Sequence, residues 1–464
     1  MTRVFLVNPP SPEPVKTPLL SFCHLAASLR AGGHEVGLLD ASAPFAPKEH
    51  DAIAARVRAF GPDLVGLHLK TLHVQPAYAL AAALAGLPLV AGGPHATIVP
   101  DEPLAHGFRW VIRGEGEDVL VELADAIDGK RAHADIAGLS SREHGLTRHN
   151  PARPFVAELD RLAPPLTALD LFDPSWYGAT STLPPAGILS SRGCPQACTF
   201  CSNDVTGRKF RYRSAGSVVH EISYLRQRFG LVGFSFFDDS FAVGRRRVRE
   251  LCDAIEGLGT TVWWTCTAHP AHLDREVVRD MYRAGCRGID IGMESADPDM
   301  LLKIGKGVTV ERVLDVLRWC QELDLHTIVN LMFGWPDETD AELDATIGFM
   351  DRAATLAGGF NARGVVVPYP GTPIYADNHE RFGFTNWWLR EAPLAYVQFP
   401  TSWEPDEIMR AYADDPALDR NFFQHPPHRV QRIRDALQMK AQLTMSTSLR
   451  RADLLQGVPA AGAR

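Results

Sequence analysis

Three cysteines lie close together in Leu189-Ser-Ser-Arg-Gly-Cys-Pro-Gln-Ala-Cys-Thr-Phe-Cys-Ser202: Cys194, Cys198 and Cys201, spaced C-x3-C-x2-C. Three thiolates leave a tetrahedral structural zinc site one ligand short. They suit a [4Fe-4S] cluster in which three irons take cysteine and the fourth stays open. An open iron can bind and reduce a small molecule, which a closed site cannot. The apolar run Ala186–Leu189 before the triplet predicts a strand that ends at the cysteine loop. The other five cysteines, Cys23, Cys252, Cys266, Cys286 and Cys320, are scattered singly, and small buried thiols pack well in a core.

Composition narrows the setting. The chain has 464 residues, room for two or three domains, with 45% hydrophobic and 22% charged residues, as in a soluble globular protein. A net charge of -8 argues against wholesale binding to nucleic acid phosphates. No apolar run reaches the roughly 18 residues of a membrane span. The opening stretch, Met1 to Pro10, reads as a buried first strand rather than a signal peptide. Eight cysteines in this length are too few for a disulfide scaffold, so the expected setting is a reducing cytoplasm.

The elements that must position the cysteines come in two alternating series. Strand-like runs at Val4–Val7, Val36–Leu39, Leu64–Leu67, Leu87–Ala91 and Trp110–Ile112 alternate with helical patterns, punctuated by Gly32-Gly33, Gly61-Pro62 and Gly92-Gly93-Pro94. This predicts an α/β domain over residues 1–130, a Rossmann-like doubly wound parallel sheet that binds ligands at the carboxyl ends of its strands. Two loops there stand out: Gly92-Gly-Pro-His-Ala-Thr97 and Arg113-Gly-Glu-Gly-Glu117. Glycines let the backbone approach a bulky ligand. Residues 131–185 are Pro-rich and read as an irregular linker, with Trp176-Tyr177 as packing residues. The alternation resumes over 186–383, with strands expected at Ile188–Ser191, Gly233–Phe237, Thr261–Thr265, Gly288–Ile291, Thr327–Leu331 and Gly364–Val367. Residues 384–464 are expected to form a small, mostly helical region. In it Trp387-Trp388 and Trp403 are placed to cap the barrel mouth, and the tail from Arg450 is disordered. Arg192 suits either anion neutralisation or packing. The run Gly244-Arg-Arg-Arg-Val-Arg249 reads as a solvated helix face.

The cysteine spacing, with Phe200 before the last cysteine, resembles the radical SAM superfamily. The resemblance implies a partial (β/α)6 barrel whose open iron chelates S-adenosylmethionine and cleaves it to a 5'-deoxyadenosyl radical. Reactive groups then gather at the strand carboxyl ends. Phe236-Phe-Asp-Asp-Ser240 matches the strand end near the methionyl amino group, with Asp238 and Asp239 as candidate catalytic carboxylates, at least one of them facing the mouth. Glu294 and Ser295 match positions that contact the ribose and methionyl group, and Asn330 the strand end beside the adenine. Tyr369, after the sixth strand, is a candidate proton-transfer group.

Asn8-Pro-Pro, Gly92-Gly-Pro-His and Arg113-Gly-Glu-Gly-Glu resemble the cobalamin-binding domain that precedes many radical SAM domains, which makes Gly92, Gly93, Gly114 and Gly116 candidate corrin contacts. The usual cobalamin-ligand motif, Asp-x-His-x-x-Gly, is absent: Asp324/His326 and Asp377/His379 lack the glycine and lie outside the domain. Leu69 and Lys70, in a bulky loop, are placed to intrude on a corrin. Two chemistries stay open. One is cobalamin-dependent methylation of an unactivated carbon, which frequency in two-domain relatives favours. The other is cobalamin-independent dehydration of an aminosugar diol, with a vestigial corrin domain. A cluster-bearing sensor is the rival outside enzymes and predicts no 5'-deoxyadenosine. The implied partners are a small natural-product-like substrate and an electron donor such as flavodoxin, ferredoxin or a dedicated reductase. Nucleic acid and membrane are not implied.

Overall fold

Two sheets run through the computed structural model, which describes residues 1–11, 17–143, 145–177, 187–390 and 420–439. The first sheet comes from β1 (Arg3–Asn8), α1 (Leu20–Ala31), β2 (Glu35–Asp40), α2 (His50–Phe60), β3 (Leu64–His68), α3 (Val74–Ala83), β4 (Leu89–Gly92), the short helices α4 (Pro94–Ile98) and α5 (Asp101–Ala105), β5 (Trp110–Ile112) and α6 (Glu117–Ile127). The strand order β2-β1-β3-β4-β5 is parallel, so all five carboxyl ends share one edge. The chain can make these turns because Gly61 takes φ 64° as the left-handed cap of α2.

The domain does not stop at residue 130. β6 (Leu139–Glu143) and β7 (Leu146–His149) add an antiparallel hairpin to the edge of β5, so part of the expected linker is sheet. Its polar outer strand, exposed throughout, carries no apolar alternation that would mark it. Further on, Trp176 is buried and the Tyr177 hydroxyl donates to Asp40 at 2.7 Å, so the linker packs at the carboxyl end of β2.

The second sheet begins with β8 (Gly187–Ile188). A separate antiparallel pair, β9 (Ser191–Arg192) and β10 (Arg211–Tyr212), brackets the cysteine loop. Then come α7 (Ala215–Phe229), β11 (Gly233–Phe236), α8 (Arg245–Glu256), β12 (Trp263–Ala268), α9 (Arg275–Arg283), β13 (Cys286–Glu294), α10 (Pro298–Lys303), α11 (Val310–Gln321), β14 (His326–Phe333), α12 (Asp340–Ala353) and β15 (Gly359–Val365). The order β15-β14-β13-β12-β11-β8 is parallel throughout, an open six-stranded partial barrel. Local signals place the helices: Asp274 caps α9 through the Glu276 and Val277 amides, and Thr339 and Glu342 form a reciprocal capping box on α12. The last strand starts five residues earlier than Gly364, because polar Asn361 interrupts the apolar pattern.

The helices α13 (Pro373–Asn378) and α14 (Trp387–Arg390) follow. Trp387 and Trp388 do not cap the barrel mouth. Trp387 Nε1 donates to the Pro368 carbonyl at 2.9 Å, Trp388 Nε1 donates to Glu102 at 2.9 Å, and Gln75 donates to the Trp388 carbonyl at 2.7 Å. Indole N–H groups need partners when buried, and these find them in a seam between the barrel's end and the first domain. Trp403 and the tail from Arg450 lie outside the described residues. The five scattered cysteines are all buried. No helix among the described residues is long and apolar enough to cross a membrane.

Candidate functional site

Cys194, Cys198 and Cys201 all line one cavity at the carboxyl ends of the barrel strands, with about 1190 Å³ of empty space, part of it open to solvent. Cys198 is buried, Cys194 half-buried and Cys201 exposed at the rim. Three thiol donors on one cavity suit three corners of a cubane cluster. Desolvation raises the Cys198 and Cys194 thiols above their ordinary value, so iron must displace their protons on binding.

Two neighbouring carboxylates hold the loop. Asp239 accepts from the Gly193 amide at 2.8 Å and from the Thr206 hydroxyl at 2.9 Å, at the two ends of the cysteine segment. Gly193 has φ 87°, and a Cβ there would fall 2.4 Å from the Lys209 carbonyl, so only glycine fits. Asp238 points the other way. It is buried, accepts from the Ser190 amide at 2.7 Å and the Ser191 hydroxyl at 2.6 Å, and pairs with Arg247. Asp238 therefore does not face the cavity; it ties down Ser190 and Ser191 where the cysteine loop begins. Arg247 is the buried arginine of a run expected to be a solvated helix face, and it meets Asp238.

The opposite wall carries Glu294, Phe200, Asn330 and residues the sequence reading did not single out: Lys306, His269 and Asn361. Glu294 ends β13 with φ 72°, a left-handed conformation that a non-glycine residue holds only when its surroundings impose it. Lys306 Nζ lies 3.0 Å from Glu294 Oε1, both side chains nearly buried. Lys306 is held by its carbonyl, which accepts from His269 Nε2 at 2.8 Å. Asn361 donates to Asn330 Oδ1 at 2.8 Å, leaving the Asn330 amide N–H groups for a ligand. Phe200 packs edge-on against Trp335 with ring centres 5.3 Å apart.

Two expected residues are elsewhere. The Ser295 side chain is fully buried, 3.2 Å from the Thr346 hydroxyl and 3.2 Å from the Asp297 amide that donates to it, so it braces the wall rather than facing the cavity. Tyr369 is partly buried against the core and does not line the cavity; its carbonyl accepts from the Thr372 hydroxyl at 2.6 Å.

A second cavity, with about 1050 Å³ of empty space, lies between the first sheet and the barrel. Gly92, Gly93, Gly114 and Gly116 all line it. At Gly92 and Gly114 a Cβ would meet nothing within 4 Å, so these glycines leave open space. Gly93 differs: at φ 104° its Cβ would fall 2.5 Å from His68 Cδ2 and 2.9 Å from the Leu69 carbonyl, so the protein itself demands glycine there. Leu69 is fully buried in the core, and neither Leu69 nor Lys70 lines the cavity, so the expected obstruction is absent. Successive side chains of a strand point to opposite faces, and His68, one residue earlier, is the one that lines it.

The two cavities have one lining residue in common, Asp239. A buried ionic clamp fixes their relation. Arg192, directly before Gly193, reaches Glu115 at 2.9 Å and Glu117 at 2.5 Å, and Arg211 reaches Glu115 at 2.9 Å. The glycine loop of the first domain thus grips both strands that bracket the cysteine loop. Guanidinium forks suit such bidentate, desolvated pairing. Their sequence signal is only a pair of acids and two separate arginines.

Comparison with known proteins agrees with this division. The Radical SAM superfamily model matches residues 188–350 and the B12 binding domain model residues 15–124. The chain is 30% identical over 445 residues to the uncharacterized methyltransferase PH0819 of Pyrococcus horikoshii, covering 91% of this chain and 95% of that one. The chain belongs to the radical SAM superfamily. Within it, this is a member with a B12 binding domain in front of the barrel. It is also 28% identical to the bacteriochlorophyllide d C-12(1)-methyltransferase of Chlorobaculum tepidum, over 70% of this chain and 68% of that protein. The fold matches that of a radical S-adenosylmethionine methyltransferase, TsrM, from Kitasatospora setae, solved with cobalamin and a [4Fe-4S] cluster (TM-score 0.68, 24% identity, 82% of this chain and 75% of that one). The three cysteines fall within the segment that the Radical SAM model matches, and Gly92, Gly93, Gly114 and Gly116 fall within the segment that the B12 binding domain model matches.

Proposed function

We propose that this chain is a cobalamin-dependent radical SAM methyltransferase acting on an unactivated carbon of a small, natural-product-like molecule. The observation that carries this is the meeting of the two cavities at Asp239. When bound, the cluster supplies the electron that cleaves S-adenosylmethionine, and the cobalamin carries the methyl group to the substrate carbon. The residues divide the work accordingly. Cys194, Cys198 and Cys201 hold the cluster. Lys306 and Glu294 offer an ammonium and a carboxylate to the zwitterionic end of S-adenosylmethionine, and Asn330 with Asn361 offers amide groups to the adenine edge. Gly92 and Gly114 leave room for a corrin disc, and the Arg192 clamp keeps the two sites in register. Asp239 ties the cluster loop down and presents a carboxylate at the junction, where the substrate must lie to reach both cofactors.

The names of the relatives support methyl transfer, and the main structural argument for a vestigial corrin domain falls with Leu69 turned into the core. An electron donor such as flavodoxin or ferredoxin, and a reducing cytoplasmic setting, complete the reading. The test is product analysis with the reduced, reconstituted protein. With hydroxocobalamin loaded, S-adenosylmethionine yields S-adenosylhomocysteine in proportion to bound corrin, beside 5'-deoxyadenosine; without corrin, S-adenosylhomocysteine disappears. 5'-Deoxyadenosine alone, with no effect of corrin, overturns the proposal in favour of dehydration.

A further inference from the structure

The cavity between the domains contains an imidazole with the support that metal-binding histidines need. His68, the last residue of β3, is partly exposed, and its ring lies on the cavity wall next to Gly92 and Gly93. Its Nδ1 faces Asn8 Oδ1 at 3.4 Å, a long contact. The orientation of that amide is not arbitrary. Asn8 Nδ2 donates to Asp40 Oδ1 at 2.8 Å, and Asp40 also receives the Tyr177 hydroxyl at 2.7 Å and the Ser42 amide at 3.2 Å. Asp40 is a pure acceptor to three donors, so the NH₂ end of Asn8 must turn to it and the carbonyl end must turn to His68. The carbonyl accepts the Nδ1 proton and leaves the lone pair on Nε2. Metal-ligating histidines donate the other ring N–H to an oxygen acceptor, which fixes tautomer and orientation, and here the acceptor is an amide carbonyl that Asp40 holds in place.

We infer that His68 Nε2 is the axial donor to the cobalt of a corrin seated in this cavity, with Asp40 and Asn8 as its positioning residues. The inference rests on reading the cavity as the cobalamin site. It replaces the missing Asp-x-His-x-x-Gly donor with one from the end of a different strand. It also gives Gly93 a reason: only glycine admits the His68 ring, since a Cβ would lie 2.5 Å from its Cδ2 and 2.9 Å from its Nε2. His24 is the other imidazole on this cavity, but its Nδ1 is buried and it lies beside the Arg192 guanidinium, a poor neighbour for a cationic metal centre.

The experiment uses the full chain loaded with cobinamide, a corrin without its own nucleotide base, and reduced to cobalt(II). Absorbance reports corrin uptake and electron paramagnetic resonance reports the axial ligand. The wild-type protein is expected to show nitrogen splitting on the cobalt lines as a triplet, converting to a doublet when the protein carries ¹⁵N-histidine. His68→Gln and His68→Ala lose the splitting and, at excess corrin, still take it up, but retain it at least about 10-fold more weakly; His24→Ala keeps both. Asn8→Leu, which removes the support but not the ligand, weakens corrin retention by about 10-fold, the low end for such outer partners. Corrin uptake without splitting in the wild type, or splitting that survives in either His68 variant, overturns the assignment and leaves the methyltransferase reading standing. No corrin uptake by the wild type overturns both.

Discussion

The cluster cavity is a site of donors, and the inter-domain cavity is a site of space. In the first, function is carried by side chains that present themselves: three thiols, the Lys306–Glu294 pair and the two asparagines. In the second it is carried largely by side chains that are missing, with Gly92 and Gly114 facing nothing within 4 Å. A donor site is vulnerable to deletion and a space site to addition. The two also differ in what glycine means. Gly193 and Gly93 are glycine because the protein's own atoms crowd them, whereas Gly92 and Gly114 are glycine where the protein leaves the room empty.

The largest effect is expected from the donor side. Replacing any one of Cys194, Cys198 or Cys201 with Ala abolishes the cluster's visible absorbance and all 5'-deoxyadenosine formation, while corrin uptake persists. Four irons per chain and active cleavage in the triple variant would break the assignment. The converse belongs to the space side. Gly92→Leu adds a side chain to open cavity and is expected to abolish corrin uptake with cluster, melting temperature and 5'-deoxyadenosine formation unchanged. Gly93→Leu is the contrasting control. It forces a Cβ into His68 and the Leu69 carbonyl, and overpacking of this kind costs about 1–3 kcal/mol, so it loses corrin and stability together. Equal melting temperatures for the two variants would erase the distinction drawn between these glycines.

Breaking the link between the sites comes next. Arg192→Leu strands Glu117 in a buried setting and leaves Glu115 to Arg211, and removing one partner of a buried pair costs about 3–5 kcal/mol. A lower thermal midpoint is expected, together with loss of cleavage, because Arg192 adjoins the cluster loop. The clamp also predicts a pH dependence. Burial alone raises the Glu117 carboxyl, but the Arg192 guanidinium outweighs it and holds the folded value below the ordinary carboxylate range. A depressed folded value gives stability that is present above the unfolded value and is lost as pH falls through the folded one. Wild-type stability should therefore fall as pH drops through and below about 4.3, and Arg192→Leu should flatten that slope. An unchanged slope would remove Glu117 from the account.

The smallest effect is on S-adenosylmethionine binding. Glu294→Gln or Lys306→Met removes a charge-assisted hydrogen bond worth about 1.5–3 kcal/mol, an affinity loss of about 10- to 100-fold by equilibrium dialysis with the cluster intact. Unchanged affinity would move the methionyl subsite away from this pair.

Much of this was legible before folding. The cysteine triplet and the β/α alternation both announce themselves locally, and the five parallel strands of the first sheet lie within two residues of their apolar runs. Parity was not legible. Asp238 and Asp239 are chemically alike in the sequence, and which of them faces the mouth depends on the phase of β11 where it ends. The same one-residue ambiguity made Leu69 look like the obstruction when His68 is the residue on the cavity wall. Lys306 meets Glu294 through a helix and two turns, and the Arg192–Glu115 contact spans 77 positions, beyond any local pattern.

The central claim is that the two sites face each other across Asp239 and hold a corrin and a cluster at once. The most direct test is the cobalt(II) paramagnetic resonance signal of the doubly loaded protein, recorded with the cluster oxidised and then reduced. The account predicts that cluster reduction speeds relaxation of the cobalt signal, because two spins on neighbouring cavities couple, and that Cys198→Ala abolishes the effect. A cobalt signal indifferent to the state of the cluster, in protein shown to contain both, would contradict it.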